Sequence, residues 1–406
     1  MTNIILFDGD ERAHLLPLTY TRPVCELRVG ILTIREKWER ALSGEISYVT
    51  QDYLAEKYPL EYGTENYVIN GSVLPSTQLL QLIKQMDFND AFLLNNELIA
   101  AKLDERQFER LIHDEEIPNL KGIDLEDTEI LKINRLWDIC KINAKAIKAD
   151  FKLLTAGRKS APIHESNTVF GEKNIFIEKG AIVRGTFLNA ENGPIYIGKD
   201  VLVMEGTMIR GSVALFDHAV VKMGAKIYGA TTIGKYSKAG GEIKNSIIGD
   251  YSNKGHDGFL GDSVLGRWCN IGADSNNSNL KNNYSEVKLW DYPSEKFVKT
   301  GTQFCGLFLG DHSKCAINTV FNTGTVVGVA ANIIGEGFPR NFIPSFTWRT
   351  HAGFQTYRTD KAFEMMTLMM ERRGIDFTTQ DRLIMIRIFE DTAKYRSWEL
   401  SGSRTT

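Results

Sequence analysis

The sequence predicts an α/β domain followed by a parallel β-helix. Three observations carry that expectation. Strand-like and helix-like runs alternate over residues 1–150, aliphatic residues recur every sixth position from Ile197 to Ile233, and glycine often follows a phased residue, as in "YIGKD", "TIGKY" and "VVGVA". Alternating strand and helix patterns are those of an α/β layer. A hexapeptide period is what stacked coils of short strands leave in a sequence.

In the first domain, "NIILF" and "NYVIN" read as strands, and "ILTIREKWERAL" and "STQLLQLIKQM" carry helical apolar spacing. The turn signals "FDGD" and "INGS" mark loops leaving strand ends. Residues 136–151, "LWDICKINAKAIKADF", space their apolar residues as a helix does, and "TAGRKSAP" follows as a linker. The predicted domains are therefore 1–150, a solenoid over 160–345 and a C-terminal helical extension over 346–406 that caps the solenoid or packs on a neighbour.

Within the solenoid, Ile197, Val203, Ile209, Leu215, Val221, Ile227 and Ile233 form one phased set. Leu309, Cys315, Phe321, Val327 and Ile333 form a second, and Val169, Ile175, Ala181 and Phe187 a third. The phase breaks at "LNAENGP" and again between Ile271 and Leu309. Insertions of this kind become loops on one face, often the binding face. His218 and His312 are expected at coil corners.

Composition narrows the function. The chain of 406 residues has 48 basic and 51 acidic residues, a net charge of -3, and no block of like charge. That disfavours nucleic acid and membrane surfaces as partners and favours small-molecule substrates. Cys25, Cys140, Cys269, Cys305 and Cys315 contain no C-x-x-C pair, which reads as reduced thiols in a cytoplasmic protein. No export signal and no stretch of about 18 apolar residues is present.

The segment "SIIGDYSNKGHDGFLGDSVLG" sets His256 between glycines inside the repeat. Glu242 lies 14 residues before it and Asn270 14 after. Since one coil takes about eighteen residues and rungs are about 4.8 Å apart, groups one shortened coil apart come close. An imidazole with an acidic neighbour is the arrangement of a general base.

"EIKNSIIGDYSNKGHDGFLGDSVLGRWCNIGAD" resembles the acetyltransferase core of the bifunctional UDP-N-acetylglucosamine pyrophosphorylase / glucosamine-1-phosphate N-acetyltransferase family, and "GDHSKCAINTVFNTGTVVG" resembles its acetyl-CoA-binding coils. The resemblance covers roughly residues 165–345 and implies a left-handed β-helix that forms homotrimers with shared active sites. It makes His256 the base that deprotonates the glucosamine amine and Glu242 its orienting carboxylate. Lys222 stands where the family has a phosphate-binding arginine, which keeps the charge and loses the bidentate fork. Lys244, Phe259 (a tyrosine in the family), Asn270 and Lys288 become substrate contacts, and either Asn279 or the pair Asn283 and Tyr284 takes the role of the family's Asn-Tyr loop, which is shorter than "NNSNLKNNYSE". Ala273, Ile317 and Gly335 become acetyl-CoA contacts, with the Ala273 N–H facing the developing oxyanion.

The opening "LFDGDERAHLLPLTYTRPVCELRVGILTIREKWE" resembles, more distantly, the nucleotidyltransferase domain of the same family. The family's Gly-x-Gly-Thr-Arg loop is replaced by "DGDERAH", and Ser72 stands where a metal-binding aspartate usually follows the glycine. On this resemblance Gly9, Arg12 and Arg22 hold nucleotide, and Asp8 or Asp10 supplies oxygen to Mg²⁺. Glu97 is a further candidate ligand.

The expected activity is bifunctional: acetyl transfer from acetyl-CoA to glucosamine 1-phosphate, then uridylyl transfer from UTP. One alternative is a nucleotidyltransferase for another NDP-sugar, the β-helix serving a different amino sugar or only oligomerisation. A second is a non-catalytic sugar-nucleotide-binding scaffold. A γ-class carbonic anhydrase shares the solenoid but needs three clustered histidines, and the seven here do not cluster.

Overall fold

The computed structural model describes residues 2–113, 115–125 and 128–401, and contacts divide the chain into two compact units. The first comprises Met1–Leu15, Thr21–Arg28 and Leu32–Asp138; the second comprises Leu16–Tyr20, Val29–Ile31 and Ile139–Thr406. The helix Leu136–Thr155, which the sequence reading set at the end of the first domain, thus lies from Ile139 onward in the second unit.

The first unit is built on a six-stranded mixed sheet. Its order is Glu45–Val49, Thr2–Phe7, Glu65–Asn70, Glu97–Leu103, Asp90–Leu94 and Lys121–Asp124, with the first three strands parallel. Ile4, Ile5 and Leu6 are all fully buried, as an apolar run in a strand covered on both faces should be. The helix Ile34–Leu42 starts at Thr33, whose side chain forms a capping box with Glu36. It buries Ile34 and Trp38, and the Trp38 indole donates to the Val73 carbonyl at 2.8 Å.

The second unit is a parallel β-helix with three faces. Strands from Ile175–Ile177 to Phe342–Ile343 form the first face and strands from Ile182–Val183 to Thr347–Thr350 the second. The third runs from Thr168–Phe170 to Phe259–Gly261 and resumes with Asn276–Asn277 paired to Val320–Phe321. Every residue of the Ile197–Ile233 set is at most 1% exposed, and every residue of the Leu309–Ile333 set at most 5%. Each buried aliphatic side chain contributes about 1.5–3 kcal/mol, and stacking makes the interior continuous.

The third set needs correction. Phe187 is 48% exposed, and Val183 and Leu188 take the interior places that the period gave to Ala181 and Phe187. The phase slips because Ile175 and Ile177, two residues apart on one strand, both point inward, so the count restarts at Ile177, runs six residues to Val183 and then five to Leu188.

At the corner between the first and second faces, His218, Tyr236, Tyr251, Trp268 and His312 all have φ near +60°. Their rings stack in sequence with centroid separations of 4.6, 5.2, 4.3 and 6.1 Å. Both histidines therefore occupy coil corners, as expected. The inserted segment leaves the coil after Asn277 and includes the hairpin Lys288–Asp291 with Lys296–Lys299. Where the third face opens, side chains replace main chain: Asn276 Oδ1 accepts from the Phe259 N–H, and Asn277 bonds both the N–H and the C=O of Gly261. The helices Thr359–Glu371 and Thr379–Asp391 follow the last coil.

Candidate functional site

Stacking of the coils brings one group of the expected residues into register. Gly240 donates to Lys254, Gly272 to Cys315 and Ala316 to Ile333, all at 2.7–3.1 Å. The residues that follow each of these pairs share the next step of one corner, so His256, Ala273, Ile317 and Gly335 stand above one another on successive coils. Lys222, whose N–H donates to Ala239, directly follows the strand Val220–Val221 that enters the same corner. His256 is exposed. The Ala273 carbonyl accepts from Asn318, whereas the Ala273 N–H has no acceptor among the described residues. A main-chain donor is thus left open beside an exposed imidazole, separated by one rung of about 4.8 Å.

Sequence reasoning missed the group beneath this corner. Lys254 occupies an interior phase of the second face, between Ala239 and Ile271, and is 1% exposed. Its ammonium donates to the main-chain oxygens of His256 at 2.5 Å and Asp257 at 3.1 Å. Burial holds its pKa down at about 8. The available signal was a lysine at a position where the repeat requires an aliphatic residue.

Glu242, Lys244 and Phe259 project from the third face, where Glu242 pairs in register with Phe259 and Lys244 with Gly261. The Glu242 carboxylate accepts from the Tyr228 hydroxyl at 2.6 Å and lies 3.9 Å from the Lys226 ammonium. That hydrogen bond holds the Tyr228 hydroxyl up at about 12. Among the described residues Glu242 makes no hydrogen bond to His256. The Lys244 ammonium sits 4.8 Å from the centre of the Phe304 ring. Asn270 lies on the second face between Asn253 and Lys314.

Residues expected from the inserted loop are dispersed. Asn283 accepts from the Ser285 N–H within a turn, and Tyr284 is exposed with φ +55°. Lys288 lines a cavity with Lys281, Trp290 and Arg340.

In the first unit, the loop after the first strand brings Asp8, Glu11 and Arg12 together at the carboxyl ends of parallel strands, where ligands of α/β sheets bind. Asp8 accepts from the Val24 N–H at 2.7 Å and the Thr50 hydroxyl at 2.6 Å, and pairs with Arg12 at 3.2 Å. Burial nonetheless pushes its carboxyl up. Arg12 also reaches the Tyr53 hydroxyl at 2.8 Å, and Arg22 donates to the Thr21 hydroxyl at 3.1 Å. The carboxylate of Glu11 fills the space that a Cβ on Gly9 would need, with one oxygen 2.6 Å from that position.

A charge cluster beside this loop was foreseen only through Glu97; Glu11 and Lys132, its buried members, were missed. Lys132 lies 3.5 Å from Glu11 and in contact with Glu97, with only 6% of its side chain exposed. Burial pushes the Glu11 carboxyl up against the pull of Lys132.

The donors do not fit the expected Mg²⁺ site. Both Asp8 oxygens already accept protein hydrogens, Asp10 is exposed, and no cluster of three metal-ligating side chains exists among the described residues.

Residues 4–159 match the model of the sugar nucleotidyl transferase family. They form a sugar nucleotidyl transferase-family domain. Curated relatives are similar as well. The bifunctional protein GlmU of Wigglesworthia glossinidia brevipalpis is 27% identical over 220 residues, which cover 50% of this chain and 45% of that protein. A bifunctional sugar-1-phosphate nucleotidylyltransferase/acetyltransferase of Sulfurisphaera tokodaii is 27% identical over 143 residues, 35% of each chain. The chain is a divergent relative of these bifunctional proteins and spans about half the length, or less, of those it matches. Among solved structures, the polySia-specific acetyltransferase NeuO covers 48% of this chain and 86% of its own at 18% identity and TM-score 0.27. Arabidopsis UDP-N-acetylglucosamine acyltransferase covers 54% and 84% at 17% identity and TM-score 0.20. Among the described residues no helix is long and apolar enough to cross a membrane.

Proposed function

We propose that the β-helix transfers an acetyl group from acetyl-CoA to the amine of glucosamine 1-phosphate, and that the sugar nucleotidyl transferase-family domain transfers uridylyl from UTP to the product. The observation that carries the first half is the single corner shared by His256, Ala273, Ile317 and Gly335.

The amine nitrogen attacks the thioester carbon, and His256 takes the proton the nitrogen loses. The carbonyl oxygen becomes an oxyanion facing the Ala273 N–H. Collapse expels the coenzyme thiolate, which takes the proton from His256. Base and oxyanion donor lie on consecutive rungs, so positioning does much of the work. Lys222 and Lys244 supply positive charge for the sugar phosphate.

Sharing of the site between three copies is part of the reading. Phe187 and Met208 pair in register on the third face, and Phe170 lies one rung away, all about half exposed. An apolar patch on the outward side of a solenoid marks a contact surface. Glu242, Lys244 and Phe259 project from that same face.

For the first unit, one observation favours a second reading, in which the domain binds a sugar nucleotide without turning it over. Both oxygens of the Asp8 carboxylate are already engaged, by Val24, Thr50 and Arg12, and burial pushes the carboxyl up, which disfavours its use by a metal–nucleotide complex.

The test is thiol release from acetyl-CoA with glucosamine 1-phosphate, comparing wild type with His256→Ala, alongside pyrophosphate exchange with UTP. Acceptor-dependent release that falls at least about a hundredfold in the variant supports the assignment. No release from wild type sinks it. Exchange without a detectable rate favours the binding-only reading of the first unit.

A further inference from the structure

Where the inserted hairpin crosses the coils, a cavity of about 700 Å³ opens, within the size range of small-molecule sites. Three cations line it: Lys281, Lys288 and Arg340. None has a carboxylate partner among the described residues. Lys281 donates only to the Glu286 carbonyl at 3.0 Å, and Arg340 lies 5.5 Å from the centre of the Phe354 ring.

The acids of the same insertion are turned elsewhere. Glu295 pairs with Lys394 at 2.5 Å, and Glu286 binds the Gly301 N–H at 2.5 Å with Lys299 at 3.6 Å. Arg158 of the same unit, by contrast, pairs with Glu178 at 2.7 Å. Three uncompensated cations around one concavity repel one another unless an anion joins them.

The remaining wall is aromatic. Trp290 stacks on Phe342 with centroids 4.2 Å apart, and Phe297 meets it edge-on at 5.4 Å and is 43% exposed. Asn341 donates to the Thr323 carbonyl at 2.7 Å, which leaves its own oxygen as an acceptor for a ring N–H. Rings of this kind favour a planar heterocycle, and the cations favour phosphate.

From these walls we infer that the cavity binds a nucleoside diphosphate, at a site separate from the His256 corner and from the loop after the first strand. Two sources share that chemistry: the uridine end of a sugar nucleotide and the adenosine end of a coenzyme. The inference does not depend on acetyl transfer, since neither His256 nor Ala273 lines the cavity.

The test is a fluorescence titration of the full chain with UDP, ADP and inorganic phosphate, reading the part of the emission that Trp290→Phe removes. A saturable change with UDP or ADP, at least about tenfold weaker in Lys288→Gln and in Lys281→Gln/Arg340→Gln, is the expected result. Preference for UDP identifies the sugar nucleotide, and preference for ADP the coenzyme. His256→Ala should leave the titration unchanged even if acetyl transfer proves absent.

Three results would overturn the inference. One is no Trp290-dependent change up to about 1 mM nucleotide, the weak end of small-ligand affinity. Another is phosphate binding as tightly as either nucleotide. The third is loss of the signal in His256→Ala. Lys288→Gln changes an exposed side chain and keeps the test readable if a double variant fails to fold.

Discussion

From inside the coil, the Lys254 ammonium donates to the main-chain oxygen of His256 at 2.5 Å, which ties the proposed base to the solenoid core. The lysine also holds Asp257, so two consecutive carbonyls of the corner converge on one buried donor. Lys254→Met keeps most of the volume and removes both bonds. The expected outcome is a drop in kcat of about tenfold or more with KM for acetyl-CoA little changed, since a displaced base acts on the chemical step. An unaltered kcat would show that the corner is set without the lysine.

The same residue predicts a pH effect. Burial lowers the pKa of Lys254 and of Lys314 to about 8, whereas an unfolded lysine stays near 10.4. Between those values the unfolded chain binds more protons, so these lysines' cost to stability is full below about pH 8 and fades toward about pH 10.4. Urea midpoints of wild type and Lys254→Met/Lys314→Met, measured at pH 7 and pH 10, isolate it from other titrations. The wild type should gain on the variant as pH rises. A gap that stays constant would remove the effect.

Asn277→Ala tests the opened rung. The substitution strips the partner from the buried Gly261 N–H, while the Gly261 C=O keeps the Ser263 hydroxyl as donor at 2.7 Å. One unsatisfied buried group costs about 1–3 kcal/mol, so chemical denaturation should show a loss in that range. Asn276→Ala exposes only the Phe259 N–H nearer the surface and should cost less.

Phe187→Glu combined with Met208→Glu places two charges on the apolar patch of the third face. On the proposed sharing of the site between three copies, sedimentation should shift from a trimer to a monomer, with the melting temperature of the monomeric coils within a few degrees of the start. A trimer that survives both charges would put the contact surface elsewhere.

Lys132→Met leaves Glu11 and Glu97 facing each other without their shared cation. Removing one partner of a buried pair costs about 3–5 kcal/mol, most of it at neutral pH. Burial has already raised the Glu11 carboxyl, so protonation relieves the variant and its deficit should shrink as pH falls through that raised value. Thermal melts at pH 5 and pH 7.5 measure the difference.

The interior of the β-helix was legible because a six-residue period is a direct image of the coil, and Val203, Ile209 and Leu215 fall where it puts them. The register of Phe187 was not, because two inward residues on one strand shift the count without changing composition. His256 stood out through its glycine neighbours. Its tether did not, since Lys254 looks like any surface lysine until its phase is followed through a shortened coil. Nor could spacing show that Glu242 turns to Tyr228, a choice made by side-chain rotamers.

The ring ladder from His218 to His312 has a consequence for how such a protein can change length. Its members repeat at the same corner while the chain between them swells from one short coil to the long insertion before His312. A fixed stack on one corner lets the opposite side lengthen, shorten or acquire a hairpin without losing alignment, much as a spine holds pages of unequal width. New chemistry can then be added at the free edge while the bound edge stays as it was.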